Sequence, residues 1–239
     1  MTETLVIIPA YNEEKVIGSV LEGIKKTGPV YDILVVDDGS SDRTAEMARE
    51  SGVKVISHLF NLGYGAALQT GYKYALRKGY DTIVQLDGDG QHDPAYISAL
   101  LDAINSNEAD VVLGSRFLDE GVYDIPFIRK TGMKVFSMLA SVIMRQPITD
   151  STSGYQALNS DVLHFYADPR YPVDFPDADT LIMLKRSGFR IREIPVKMYG
   201  SDKKSMHSGL TPLYYIFKML LSIILTMLRK EKTIKDREW

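Results

Sequence analysis

Asp87 and Asp89 stand one residue apart around Gly88, at the end of the apolar run Ile83-Val84-Gln85-Leu86, and Gly90, Gln91, His92, Asp93 and Pro94 follow. The glycines leave both carboxylates with little steric cover. Oxygen donors at such a tip suit a hard divalent cation. Mg²⁺ in particular is ordinarily shared between one or two carboxylates and the phosphates of a substrate, and Mn²⁺ takes the same kind of oxygen ligands. Asp and Gly also end strands and form turns for local reasons alone, so the pair takes its meaning from its surroundings.

Two other apolar runs end in polar clusters. Leu5-Val6-Ile7-Ile8 runs into Pro9-Ala10-Tyr11-Asn12-Glu13, and Ile33-Leu34-Val35-Val36 into Asp37-Asp38-Gly39-Ser40. Helical spacing over 13–26 runs through Val16, Ile17, Val20, Leu21 and Ile24. A helix capped by Ser41 or Asp42 and reaching about residue 50 comes next. A strand over 53–56, a helix over 66–78, a strand over 82–86, a helix from Pro94 to near Asn107 and a strand over 111–113 complete the first half. Continuous apolar strands separated by helices predict an α/β fold, a mostly parallel sheet with helices on both faces. Such sheets bind ligands beyond the carboxyl ends of their strands, which is where all three clusters fall.

The whole chain sets bounds on function. Its 239 residues are 45% hydrophobic and 25% charged, as in ordinary globular proteins, and the net charge is −3. That balance argues against a protein that wraps nucleic acid. With no cysteine, disulfides and thiolate metal sites are excluded, which fits a reducing cytosol. The first residues lack the basic and apolar regions of a secretory signal.

The second half changes character. Residues 125–149 contain no acidic side chain but carry Arg129, Lys130, Lys134 and Arg145 among Met133, Val135, Phe136, Met138 and Val142. Residues 203–230 again lack acids and include Lys203, Lys204, Lys218, Arg229 and Lys230. From 213 to 228 the chain is nearly all apolar, with Lys218, Ser222 and Thr226 four apart, so a helix there carries one narrow polar stripe. The run is shorter than the ~20 residues of a spanning helix. It reads as an interfacial helix, and anionic lipid attracts basic segments of this kind by ~1 kcal/mol per Lys or Arg. The expected division is a catalytic unit over 1–200 and a basic loop with an interfacial helix over 201–239.

The pieces Pro9-Ala-Tyr11-Asn12-Glu13, Val36-Asp37-Asp38-Gly39-Ser40-Ser41-Asp42-Arg43-Thr44, Asn61-Leu-Gly63-Tyr-Gly65-Ala66, Asp87-Gly-Asp89-Gly-Gln91-His-Asp-Pro94 and Gly114-Ser115-Arg116 occur in that order. Together they resemble a family 2 glycosyltransferase of GT-A fold. Within it the chain is most similar to polyprenyl-phosphate sugar synthases of the dolichyl-phosphate mannose synthase type.

The resemblance implies roles. Pro9, Tyr11, Glu13, Val36 and Asp38 would hold the base and ribose of a UDP- or GDP-linked sugar. Asp87 and Gly88 would touch the nucleotide sugar, and Asp87, Asp89 and Gln91 would hold Mg²⁺ or Mn²⁺. Arg116 and Arg129 would face phosphate, and Asp89 and both arginines would serve catalysis. The acceptor implied is a polyprenyl phosphate, at the inner face of a membrane to which the protein associates peripherally, with a small membrane protein as a further partner and no nucleic acid. The family's arginine before the C-terminal segment is missing from 198–207, where Lys203 or Lys204 is the substitute charge. If the acceptor is instead a saccharide hydroxyl, a general base is needed, and Asp174, Asp177 and Asp179 are the candidates. A non-catalytic nucleotide-sugar-binding subunit is the third expectation.

Overall fold

The computed structural model describes residues 4–28, 30–118, 127–169, 171–172, 176–200 and 211–228, with backbone alone at 127–130 and 211–216. A seven-stranded sheet has the order β3-β2-β1-β4-β6-β5-β7. Its strands are β1 (Thr4–Ala10), β2 (Asp32–Asp37), β3 (Lys54–Ser57), β4 (Thr82–Gln85), β5 (Val111–Ser115), β6 (Gln156–Asn159) and β7 (Ile191–Pro195). All neighbours are parallel except β6, which runs antiparallel to both β4 and β5. The chain steps outward from β1 through β2 to β3, then returns to place β4 on the other side of β1. That reversal opens a crevice at the carboxyl ends of β1 and β4.

Alternating strand residues feed two cores. On one face Leu5, Ile7, Leu34, Val36, Ile83, Val111 and Leu113 pack under α3 (Tyr64–Lys78), α5 (Phe127–Met144), α6 (Ser160–Tyr166), α7 (Ala178–Arg186) and α8 (Thr211–Leu228). On the other, Val6, Ile8, Ile33, Val35, Val84 and Val112 meet α1 (Ile17–Lys25), α2 (Thr44–Glu50) and α4 (Ile97–Asn105). Period-two alternation explains the split.

Three boundaries differ from the sequence reading for tertiary reasons. Helix α1 begins at Ile17, not at residue 13, because Glu13 and Glu14 give their amides to Thr44 Oγ1 and Asp42 Oδ2 across the turn after β2. Pro94 opens a single 3₁₀ turn, Pro94–Tyr96, capped by Asp93, and the α-helix proper begins at Ile97. Arg43, rather than Ser41 or Asp42, occupies the cap of α2, although Asp42 Oδ1 does accept from Thr44 N at 3.0 Å.

Helix α8 is amphipathic in the reverse sense. It is the stripe bearing Met219, Ile223 and Thr226 that is buried, while Phe217, Leu220, Leu221, Ile224, Leu225, Met227 and Leu228 are exposed. Ser222 donates to the Asp179 carboxylate on α7, and Arg186 Nη1 donates to the Thr226 carbonyl at 2.6 Å. Helix α5, which also packs on α7, likewise exposes Val135, Met138 and Val142. Among the described residues no helix is long and apolar enough to cross a membrane.

Candidate active site

The turns after β1 and β2 are stitched together. Ser40 Oγ accepts from Asn12 N and Asn12 Oδ1 from Ser41 N, each at 2.9 Å. Glu14 Oε2 accepts from Arg43 N at 3.1 Å. Asn12 adopts φ of +56°, which asparagine tolerates better than most residues. These bonds fix Pro9–Glu13 while Tyr11 stands exposed at the tip.

Asp38 is buried and largely engaged within the protein. Its Oδ1 accepts from Leu62 N at 2.9 Å and lies 2.7 Å from His58 Nδ1, and its Oδ2 accepts from Gly63 N at 2.9 Å. A carboxylate offers about four acceptor positions, so about one remains for a ribose or base. His58 is held between Asp38 and Thr70 Oγ1, the latter at 2.9 Å. Gly39 (φ +71°) lets this turn close on the 58–63 loop, since a Cβ there would lie 2.5 Å from the Phe60 carbonyl carbon. Val36 is in the core and supplies packing beneath the site rather than a side chain in it.

Asp87 follows β4. Gly88 N donates to the Pro9 carbonyl at 3.2 Å, and Asp38 N to the Ala10 carbonyl at 2.9 Å, so the tips of β1, β2 and β4 are tied together. Tyr64 at the start of α3 donates its hydroxyl to Asp87 Oδ1 at 2.7 Å. Burial raises the Asp87 pKa, while that hydrogen bond and the nearby Arg116 charge oppose the shift. Asp89 Oδ1 accepts from Gln91 N at 3.0 Å, and the Gln91 carbonyl accepts from Tyr199 N at 2.8 Å. The 87–91 loop is thereby anchored to the segment that leads into residues 201–210.

His92 forms the floor. It is buried, stacks on Tyr155 at 5.0 Å between centroids, and accepts from Asp87 N through Nδ1 at 3.0 Å. Burial pushes its pKa down to about 4, so the ring is neutral at working pH. The unfolded chain, titrating near pH 6.5, takes up a proton that the folded chain refuses. The stability held above pH 6.5 is therefore lost as pH falls towards 4, by up to about 3 kcal/mol. Urea unfolding in EDTA at a series of pH values should show this loss, and His92→Gln, which keeps an acceptor for Asp87 N, should flatten it. An unchanged slope in that variant would refute the assignment.

Arg116 follows β5 and is clamped by Asp150, with Nε to Oδ2 and Nη2 to Oδ1 both at 2.6 Å, while Nη2 also reaches Thr152 Oγ1 at 2.9 Å. Asp150 is wholly buried. The expected phosphate-facing guanidinium thus spends its fork on a protein carboxylate. Its charge still reaches Asp87 and His92. Asp179, a candidate base from the sequence, is 1% exposed, and its carboxylate accepts from Ser222, Asp177 N and Thr180 N. Burial raises its pKa. Asp177, by contrast, lies within electrostatic reach of Tyr64. The side chains of Arg129, Asp174, Lys203 and Lys204 lie outside the described residues.

The structure therefore gathers Pro9, Tyr11, Glu13, Asp38, Asp87, Gly88, Asp89 and Gln91 at one sheet edge. It adds Tyr64, Asp150 and Gly154, which the sequence reading did not assign to the site, and draws in His92, which that reading had only as a neighbour of the Asp87–Asp89 pair. The run Asp150-Ser-Thr-Ser-Gly154-Tyr155-Gln156, small and polar just before a strand, was the available signal. The donor set fits a hard cation: oxygens predominate, and at Gly154 a Cβ would stand 3.1 Å from both Asp87 oxygens, so its absence leaves room beside the carboxylate. Among the described residues no group of three His, Cys, Asp or Glu side chains is placed to hold a metal ion by itself.

These carboxylates gather at the strand tips of a mostly parallel sheet. The profile of glycosyl transferase family 2 matches residues 5–166, and the chain belongs to that family. It is 33% identical over 201 residues to an undecaprenyl-phosphate mannosyltransferase of Micrococcus luteus, covering 80% of this chain and 82% of that one. It is 30% identical over 244 residues to a UDP-N-acetylglucosamine–dolichyl-phosphate N-acetylglucosaminyltransferase of Methanococcus voltae, covering 94% and 96%. Among solved structures, glucosyl-3-phosphoglycerate synthase from Mycobacterium tuberculosis, crystallised with Mn²⁺ and uridine diphosphate, superimposes with a TM-score of 0.70 at 21% identity, over 95% of this chain and 79% of that one.

Proposed function

We propose that this protein moves a sugar from a UDP- or GDP-linked donor to a polyprenyl phosphate at the inner face of a membrane. The observation that carries the acceptor reading is the reversed amphipathicity of α8, which together with the outer stripe of α5 turns apolar side chains away from the catalytic unit. The names of the relatives support the same acceptor class. Residues 1–200 then act as the catalytic unit and 201–239 as the membrane-facing segment, its helix joined to the unit's core through Met219 and Ile223.

Pro9, Tyr11, Glu13 and Asp38 bind the nucleoside. Asp87, Asp89 and Gln91 would hold Mg²⁺ or Mn²⁺, which when bound would neutralise charge on the departing diphosphate. An oxygen of the acceptor phosphate attacks the anomeric carbon from the opposite face. The bond from that carbon to the diphosphate oxygen breaks, and its electron pair leaves with the nucleoside diphosphate. The acceptor is already an anion, so no strong base is required, which agrees with the engagement of Asp179 by α8. The test is transfer of radiolabelled sugar into organic-extractable lipid from a panel of nucleotide sugars with Mn²⁺ or Mg²⁺. Absence of transfer from every donor by correctly folded protein would overturn the reading. Asp177→Asn is expected to retain near-normal turnover; its inactivity, with transfer to a saccharide, would favour a hydroxyl acceptor instead.

A further inference from the structure

We propose that the Tyr64 hydroxyl is a positioning group that presets Asp87 to receive the divalent cation. The proposal rests on the reading of Asp87 as a cation ligand. Three observations carry it. Tyr64 Oη donates to Asp87 Oδ1 at 2.7 Å, which fixes one carboxylate oxygen and leaves the other, Oδ2, 3.8 Å from His92 Nε2. Hydrogen bonds to an ionised acceptor are roughly twice as strong as neutral ones.

Tyr64 is itself held in place. It is the first residue of α3, it follows Gly63 at φ +101°, and the amides of Leu62 and Gly63 are pinned by Asp38. The carboxylate on the nucleoside side thus fixes the loop that aims the phenol at the carboxylate on the cation side. A third wall comes from Gly154, where a Cβ would lie 2.7 Å from Tyr64 Oη and 3.1 Å from both Asp87 oxygens.

Carboxylates that bind metals are themselves hydrogen-bonded, and removing such a partner typically weakens metal affinity 10–100-fold. Mn²⁺ titrated alone, and again with UDP or GDP present, onto Tyr64→Phe should therefore bind about 10-fold or more weakly than to the native protein. The thermal midpoint in EDTA should stay close to the native value. A merely structural tyrosine would show the opposite, a lowered midpoint with native Mn²⁺ affinity. Gly154→Ala keeps the hydroxyl but crowds it and Asp87 together, and should weaken Mn²⁺ as well; it decides the matter if Tyr64→Phe does not fold. Native affinity in the folded variant overturns the proposal. Asp87→Ala in the same titration separates the two levels of inference. If it leaves Mn²⁺ binding unchanged, or if the native protein binds no Mn²⁺ in any arm, the assignment of Asp87 to the cation fails and the role of Tyr64 falls with it.

Discussion

Asp89→Asn should lower kcat/KM for sugar transfer by about three orders of magnitude and leave the fold intact. Asparagine has the same shape, and its Oδ1 can still accept from Gln91 N, so the turn over residues 89–91 survives. What is lost is a negative charge at the tip of β4, where the proposed function has a cation held against a diphosphate. Deleting one preorganised group that stabilises developing charge usually costs 10²–10³ in rate. Loss of a ligand also weakens the cation itself, so the combined effect should lie at the upper end. The measurement is steady-state transfer over a range of Mn²⁺ concentrations, with unfolding followed in parallel. Partial recovery at high Mn²⁺ is expected, because weakened affinity yields to concentration whereas a misfolded site does not. A variant with native kcat/KM at low Mn²⁺ would remove Asp89 from the cation site.

Asp150→Ala should be the most destabilising single change near the site, costing about 3–5 kcal/mol. Arg116 is buried, and its fork is met by Asp150 in two bonds of 2.6 Å. Without that carboxylate the guanidinium stays in a poorly solvated position with most of its charge uncompensated, and the cost follows from its own desolvation rather than from the worth of the pair. Asp150 N donates to Glu193 Oε1 at 2.8 Å, a backbone bond that alanine keeps, so the loss comes from the carboxylate. Urea unfolding gives the number. Arg116→Met combined with Asp150→Ala should recover much of the loss, because it removes both charges together. If the single variant unfolds at the native urea concentration, the pair does not hold this corner of the molecule.

The sequence disclosed the strand tips well because each one converts an unbroken apolar run into a polar cluster within a residue or two, as at Val36-Asp37-Asp38. It disclosed tertiary commitments poorly. Arg116 had the spacing of a phosphate ligand, but its partner is 34 residues further on and no local pattern joins the two. Asp179 had the look of an acid near a substrate, yet a serine 43 residues away takes its Oδ2. Glu13 and Glu14 suited a first helical turn until the neighbouring loop claimed their amides. Helix α8 shows the limit most clearly. Periodicity told which of its residues share a side, but not which side meets the protein, because that depends on whether Asp179 and Arg186 lie opposite.

The reversed strand β6 has a consequence for how the molecule is made. β4 and β5 follow one another in the chain but are separated in the sheet, and the gap is closed only when Gln156–Asn159 arrives to pair with both. Asp150, which compensates Arg116, and Gly154, which walls Asp87, belong to the same late segment. During synthesis the first 118 residues therefore carry all the recognisable motifs while the central part of their sheet is still open. Pairings across such long stretches are slow to form because the chain between them must first be ordered. A fragment ending before residue 150 would thus hold every signature of the family and yet present two unpaired strand edges to its surroundings, a condition that favours aggregation.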